Sequence, residues 1–376
     1  MIACAAISAR ALVEAAAADG VATVALDLFG DADTCRHASA WHPIGNPVTL
    51  CIERSPLLAA LDALASQGGV DGWVAGSGFD GEPDLLLAAA ERLPLFGTTP
   101  AAMHRLRDPR EFFERLDTLE IDHPEVGFEP PATPEHWLLK DARSCGGWGV
   151  RPWGGPSAAN DSGPGRYWQR RLAGQPMSAT FIGNGREAVL LGFNRQLVRE
   201  IGEHPFVFGG IVGPVPVDES VRSAITRAVG ALTAEFGVVG LASLDFLNDG
   251  GRARVLELNP RPPASLVLYP DLHGGGPFRA HMNACRHGVL PQAPPPANSV
   301  RGQAIVYADA PLRLHAAAAA RIADWPGACD LPRAGTRFSP GEPICSVSAC
   351  GHEAEAVIAE LARQSATLRT SLETPS

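Results

Sequence analysis

The chain has 376 residues, 45% hydrophobic and 19% charged, a globular balance long enough for two or three domains. Its formal net charge is -10 with no basic run, which argues against nucleic acid or an anionic membrane as partner. No apolar stretch reaches the length of a membrane span, no leader pattern opens the chain and the eight cysteines form no CxxC pair, so a reduced cytoplasm is the expected compartment.

Met1–Ser8 reads as an apolar strand, Ala9–Asp19 as an alanine-rich helix closed by Gly20, and Val21–Leu28 as a second strand. That is a βαβ unit, and a parallel sheet follows from it. The first turn, Ser8-Ala9-Arg10, lacks the glycines of a dinucleotide fingerprint, which disfavours a Rossmann dehydrogenase and leaves the helix N-terminus open to an anion. Ser55–Gln67 is a further helix, with Ser55 as N-cap and proline at N1. Gly72–Phe79 is a strand ending in Gly76-Ser77-Gly78, Pro83–Arg92 a helix and Leu95–Gly97 a strand. Residues 1–98 thus form one small α/β domain.

Thr99–Leu119 is helical and carries Arg105, Arg107, Asp108, Pro109 and Arg110. A solvated basic face accounts for Arg107 and Arg110 as well as a ligand contact does. Trp137–Lys140 is a short strand that leads into Asp141–Val150, which holds Gly146, Gly147 and Gly149. Of the 31 basic residues, Lys140 is the one lysine, so its place before a glycine loop calls for a specific reason. Amides of such a loop approach phosphate oxygens where no Cβ intervenes, and the ammonium adds a point charge. Without a GKS or GKT sequence it is not a Walker A loop. Tyr167–Gly185 reads strand, turn, strand, and Ala188–Leu197 is a strand ending at Arg195. Phe208–Pro214 reads as a second glycine-rich loop and Asp218–Phe236 as an amphipathic helix.

Leu241–Ser265 then reads as two strands around the turn residues Asn248-Asp249-Gly250-Gly251. Glu257 and Asn259, two apart, share one face. A two-residue Asp249-Gly250 turn places Asp245 opposite Arg254, with Glu257 on the other face. A three-residue loop, Asp249–Gly251, pairs Asp245 with Val255 and brings Asp245, Glu257 and Asn259 to one side. Such an oxygen-only cluster suits magnesium with nucleotide phosphates, whereas a plain hairpin would turn its acids to water. Pro260 ends the ladder and Arg261 adds a fixed cation beside it.

Beyond the hairpin, Gly274-Gly275-Gly276 and Pro291–Pro296 read as loop and linker, Arg301–Asp309 as a strand, Phe338–Gly351 as strand-rich and Glu353–Leu368 as a terminal helix. Cys345 and Cys350 fit core packing, and His281 and His287 the helix surface or a substrate side.

An aspartate on one strand followed by Glu-x-Asn-Pro-Arg on the next resembles the metal-binding end of the ATP-grasp superfamily, and the preceding elements occur in that family's order. The resemblance implies an α/β (α+β ATP-grasp) fold. A small parallel domain, 1–98, precedes two α+β subdomains, 99–185 and 186–376, that clamp ATP, with 300–376 as a closing segment. It implies that Asp245, Glu257 and Asn259 hold Mg2+ against ATP and that Lys140 with Gly146, Gly147 and Gly149 binds phosphates. It implies further that Gln169, Arg170, Arg171 and Leu172 form the connector whose backbone meets adenine, that Lys140 acts on phosphate and Arg261 on the transferred group, and that Arg195 points at the phosphates. Many ATP-grasp proteins carry an Asp-Lys pair where this chain has Asp108-Pro109-Arg110, which leaves one phosphate contact unassigned.

The activity implied is ADP-forming ligation of a carboxylate to an amine through an acyl-phosphate. The segments SARAL, LDLFGDADT and RDPREFF resemble ATP-grasp proteins of one-carbon cofactor synthesis, related to the tyramine–glutamate ligase of methanofuran and methylofuran synthesis. That implies glutamate as carboxylate and a tyramine-like or glutamyl-cofactor amine, with Ser265 and Tyr269 on the acceptor side or in ordinary packing. Another ATP-grasp carboxylase or ligase and a non-catalytic nucleotide-binding relative are the alternatives. Partners are then small-molecule substrates, neither nucleic acid nor membrane, and a homodimer is the assembly considered.

Overall fold

The computed structural model describes residues 1–155, 163, 165–272, 274–295 and 298–373, so Pro296, the end of the expected linker, lies outside the described residues. The chain opens with a parallel sheet in the order Ala40–Pro43, Thr23–Asp27, Ile2–Ala5, Gly72–Ala75. Three of its strands, Thr23–Asp27, Ile2–Ala5 and Gly72–Ala75, are buried along their whole length, as strands covered on both faces must be. Expected Leu95–Gly97 reduces to one bridge, Leu95 to Trp73.

The first helix, Arg10–Ala18, does not offer its N-terminus to a ligand, because the Asp27 carboxylate accepts a hydrogen bond from the Ala9 amide at 3.0 Å. The next helix begins at Arg54 with Glu53 as N-cap, so Ser55 lies inside it. Pro56 permits this because first-turn amides have no intrahelical partner to lose. The helical region after residue 99 is two helices, Pro100–Arg107 and Pro109–Thr118. Asp108 breaks it by accepting from the amides of Arg110 and Glu111 at 2.8 and 3.3 Å, with Pro109 in the first turn.

A small antiparallel sheet follows, ordered Val126–Gly127, Arg166–Arg170, Trp137–Asp141, Val150–Pro152. The main sheet has eight antiparallel strands, running from Arg252–Asn259 through Val239–Asp249, Gln175–Asn184, Ala188–Ile201, His204–Gly213, Val300–Tyr307 and Pro343–Gly351 to Ala328–Cys329. The change of sheet therefore falls at 171–174, ahead of the expected boundary at 185. Phe208–Pro214 is not a loop. Its glycines sit in strand His204–Gly213, where a Cβ on Gly210 would lie 2.4 Å from the carbonyl oxygen of Gln303 on the adjacent strand.

Helix Glu219–Phe236 covers one face of this sheet with Val221, Ile225, Val229, Leu232 and Phe236, a helical spacing that buries one stripe. Against it lie Phe112, Phe113 and Leu116 together with Phe181, Phe193 and Phe246 of the sheet. Each such side chain contributes about 1.5–3 kcal/mol on burial. The first helix and helix Pro277–His287 cover the other face. The terminal helix, Ala354–Glu373, closes on Val300–Tyr307 and Pro343–Gly351. No helix among the described residues is long and apolar enough to cross a membrane.

Candidate functional site

The hairpin reaches the expected clustering by a different route. Its turn has two central residues, Gly250 and Gly251, both with positive φ (57° and 91°), which matches the strands' twist. From there Asp249 pairs with Arg252 and Phe246 with Val255, after which a bulge shifts the register. Leu256 is the extra residue, and Asp245 pairs with Glu257 instead of Val255 or Arg254. The bulge supplies the one-residue offset for which the sequence offered only a longer loop. Asn259 joins the pair by donating through Nδ2 to Asp245 at 3.3 Å and to Glu257 at 3.2 Å.

Burial, and then the Glu257 charge, raise the Asp245 carboxyl from its ordinary 3.8 to about 7. Burial also pushes Glu257 upward, but Arg107 and Lys140 outweigh it and hold this carboxyl below its usual value. Two facing carboxylates, one of them strained by the other's charge, fit a divalent cation that prefers oxygen donors and retains open positions for phosphates. Asn259 presents its nitrogen to the pair, while Oδ1 accepts from Arg107 at 2.8 Å, so a third oxygen donor requires the amide to turn over.

Lys140 is buried at the end of strand Trp137–Asp141, with Nζ donating to Gln169 Oε1 at 3.3 Å and lying 5.7 Å from the Tyr167 ring centre. Burial lowers its affinity for a proton, but Tyr167 and Glu257 overcome this and raise it. The following loop seats against strand His204–Gly213, where the Phe208 amide donates to the Gly146 carbonyl at 2.9 Å. A Cβ on Gly147 would stand 1.9 Å from the Phe206 carbonyl oxygen, and one on Gly149 2.4 Å from the Ser144 Cβ. These two glycines have packing reasons of their own.

Lys140, Gly146, Gly147, Gly149, Gln169, Arg170, Arg171, Leu172, Asp245, Glu257, Asn259 and Arg261 all line one cleft of ≈ 2370 Å³. In the connector, the amides of Arg170 and Arg171 donate to the carbonyls of Glu125 and His136 at 2.8 and 2.7 Å. Arg195 is absent from the cleft wall. Strand alternation sends it to the opposite face, where it pairs with Glu355 of the terminal helix, and its neighbour Gln196 faces the cleft and acts to lower the Asp245 carboxyl.

Arg110 is exposed over the Phe128 ring, at 4.3 Å, whereas Arg107 is buried beneath the acidic pair. Ser265 lines the cleft and shares a hydrogen bond with Thr180 at 2.5 Å, and buried Tyr269 donates to Asn194 at 2.6 Å. His281 is not at a surface. It is buried, accepts from the Leu241 amide at 2.9 Å, and burial lowers it to about 4. Cys345 is in the core and Cys350 is exposed.

The residue that sequence reasoning passed over is Asp80, buried in the loop after strand Gly72–Ala75. Both its oxygens accept from Arg261 Nε at 3.0 Å, and Arg107 pairs with it as well. Burial raises this carboxyl, yet Arg261 and Arg107 outweigh it and bring it down to about 2. The available signal was topological, since the carboxyl ends of parallel strands, where the order reverses, are where α/β sheets bind ligands.

Residues 107–265 match the family described as ATP-grasp domain. No curated protein matches the chain. Among solved structures, the biotin carboxylase of Campylobacter jejuni in a β-γ-ATP complex is 15% identical, covering 100% of this chain and 95% of its own, with a TM-score of 0.72. The biotin carboxylase domain dimer of the Hydrogenobacter thermophilus 2-oxoglutarate carboxylase, solved with MgADP, ADP and bicarbonate, is 14% identical over 96% of this chain and 88% of that one (TM-score 0.71). The L-amino acid ligase of Bacillus licheniformis is 14% identical over 96% of each chain (TM-score 0.69). The chain has the ATP-grasp fold, and residues 107–265 are similar to the ATP-grasp domain family.

Proposed function

We propose that this chain is an ATP- and Mg2+-dependent ligase that joins a carboxylate to an amine and releases ADP and phosphate. The observation that carries the reading is the meeting, in one cleft, of the Asp245–Glu257 pair with Lys140 and Arg261. In the reaction a substrate carboxylate oxygen attacks the γ-phosphorus of ATP, and the bond to ADP breaks. The amine nitrogen then attacks the acyl carbon of the acyl-phosphate, phosphate leaves and the nitrogen loses its proton.

The protein's part is positioning and charge neutralisation. Lys140, at the base of the glycine loop, holds phosphate oxygens. Arg261, oriented by Asp80, faces the transferred group. Asp245 and Glu257, with Asn259 beside them, hold Mg2+, which supplies charge neutralisation on the phosphates. The glycine loop over the cleft keeps water from the acyl-phosphate. The segments that resemble one-carbon cofactor enzymes extend the proposal to glutamate as the carboxylate and to methylofuran-type synthesis, in the cytoplasm and as a homodimer.

The test is ADP release from ATP, Mg2+ and glutamate across a panel of amines that includes tyramine. Amine-dependent release that is lost in Lys140→Ala supports the ligase, and silence across the panel with ATP still bound removes it. The likeness to biotin carboxylases favours a second reading, with bicarbonate as the carboxylate, and ADP release that depends on bicarbonate and biotin would select it.

A further inference from the structure

The cleft that holds Lys140 and Arg261 extends to a second wall of opposite charge. There the carboxyl end of the N-terminal sheet, with Ser8 and Asp31, faces Asp330 of the C-terminal segment. Asp27 and Asp33 stand just behind, so Asp31 feels three other carboxylates and one buried cation, Arg10. Three of the four are fully engaged. Asp27 accepts from the amides of Ala9, Phe29 and Gly30 and from the Trp41 indole, at 2.7–3.1 Å. Asp33 accepts from the amides of Asp330 and Leu331 at 2.8 and 3.0 Å. Asp330 takes Arg10 Nε at 3.0 Å, and Arg10 is further committed to Glu14 at 2.8 Å.

Asp31 is the exception. Its side chain is 8% exposed, lines the cleft, and makes no hydrogen bond or ion pair, not even the capping bond open to it at the start of helix Ala32–His37. Arg333, also on this wall, lies over the Trp41 ring and donates to Cys35 at 3.1 Å, and forms no ion pair with Asp31. As an anion, a buried and unpartnered carboxyl among three others is unfavourable, so it holds a proton until a cation takes that place. Burial, followed by the charges of Asp330, Asp27 and Asp33, raises this carboxyl to about 8.

We propose that Asp31 is the binding group for the ammonium nitrogen of a substrate amine, resting on the ligase reading of the same cleft. Ile7, Leu28 and Phe29 line the wall around it and provide apolar surface for the carbon skeleton that carries the nitrogen. The cleft is then divided by charge, with the cationic end for phosphates and the anionic end for the amine. Asp330 and Asp33 strengthen the field without touching the ligand, since their oxygens are already taken.

The test is calorimetric titration of tyramine, ethanolamine, putrescine and lysine into the full chain loaded with ATP and Mg2+. At least one amine is expected to bind, and Asp31→Asn is expected to weaken it about tenfold or more, the worth of a charge-assisted hydrogen bond. Glu14→Gln removes an equal charge from the same cluster at a position outside the cleft and should leave the affinity as it was. Binding by none of the four amines, or equal binding by Asp31→Asn, overturns the proposal. If Asp31→Asn does not fold, Asp31→Ser is judged by the same criterion. Hydroxamate formation by the wild type from ATP, glutamate and hydroxylamine reads the ligase reaction separately. Hydroxamate without Asp31-dependent amine binding sinks the amine site alone, and amine binding without hydroxamate sinks the ligase alone.

Discussion

Asp80 accepts Arg261 Nε through both carboxylate oxygens at 3.0 Å and thereby ties the N-terminal sheet to the hairpin of Asp245 and Glu257. The same carboxylate holds Arg107, which in turn donates to Asn259 at 2.8 Å. One buried anion thus positions two guanidiniums and, through them, the amide next to Asp245 and Glu257. Replacing it by Asp80→Ala leaves Arg261 without its carboxylate and Arg107 with only the 4.0 Å contact to Glu257, and should cost about 3–5 kcal/mol in urea unfolding. Because this carboxyl falls from 3.8 unfolded to about 2 folded, its contribution is present above pH 3.8 and is lost as pH drops through about 2. The steepness of stability against pH in that window should therefore lessen in Asp80→Asn relative to the wild type.

Asp245 has the opposite sign. Its carboxyl is raised from 3.8 to about 7, so it opposes folding increasingly as pH rises between those values. Asp245→Asn should raise the melting temperature of the metal-free protein at pH 8 while abolishing ATP turnover, a separation of stability from activity found where function dictates a residue. In the wild type, Mg2+-dependent ATP binding should weaken as pH falls below 7, because a proton and the cation compete for Asp245. Glu257→Gln removes the neighbouring charge, and carbon NMR of the Asp245 carboxyl should then show titration at lower pH.

Much of this was legible in the sequence where one segment supplies both its own geometry and its chemistry. The alternating strands gave Glu257 and Asn259 a common face, and one lysine before a glycine run marked the cleft. The bulge at Leu256 was not legible, because it arises from a mismatch between the two strands' faces that the turn sequence does not encode. Arg195 was misplaced by one step of the pleat, since the strand runs on to Ile201 and its register is set by the strands on either side. Asp80 was invisible for another reason: its partners lie 27 and 181 residues away in sequence. Gly209 and Gly210 suggested a loop when what they permit is close contact between strands.

The seating of the glycine loop makes a graded prediction. Gly147 has φ of 79° and its Cβ position is occupied by the Phe206 carbonyl, whereas Gly146 has φ of 64° and nothing nearer than 3.6 Å. Gly146→Ala should cost only the left-handed backbone penalty, about 1–2 kcal/mol. Gly147→Ala adds a backbone collision and should unseat the loop. Limited proteolysis within 141–150 should accelerate in Gly147→Ala and much less in Gly146→Ala, and ATP affinity should fall in the same order.

The two neighbours on strand Ala188–Ile201 separate packing from chemistry most cleanly. Arg195 is 24% exposed and its partner Glu355 76% exposed, so that ion pair is screened and worth below about 1 kcal/mol. Gln196, one residue on and across the pleat, lines the cleft and opposes the upward shift of the Asp245 carboxyl. Arg195→Ala should therefore keep kcat/KM for ATP near that of the wild type. Gln196→Ala should lower kcat/KM roughly tenfold, the order of one polar interaction with a charged group, and move the acid limb of the pH profile upward as Asp245 loses a group that holds its carboxyl down. Equal effects from the two substitutions would mean that Arg195 reaches the phosphates after all.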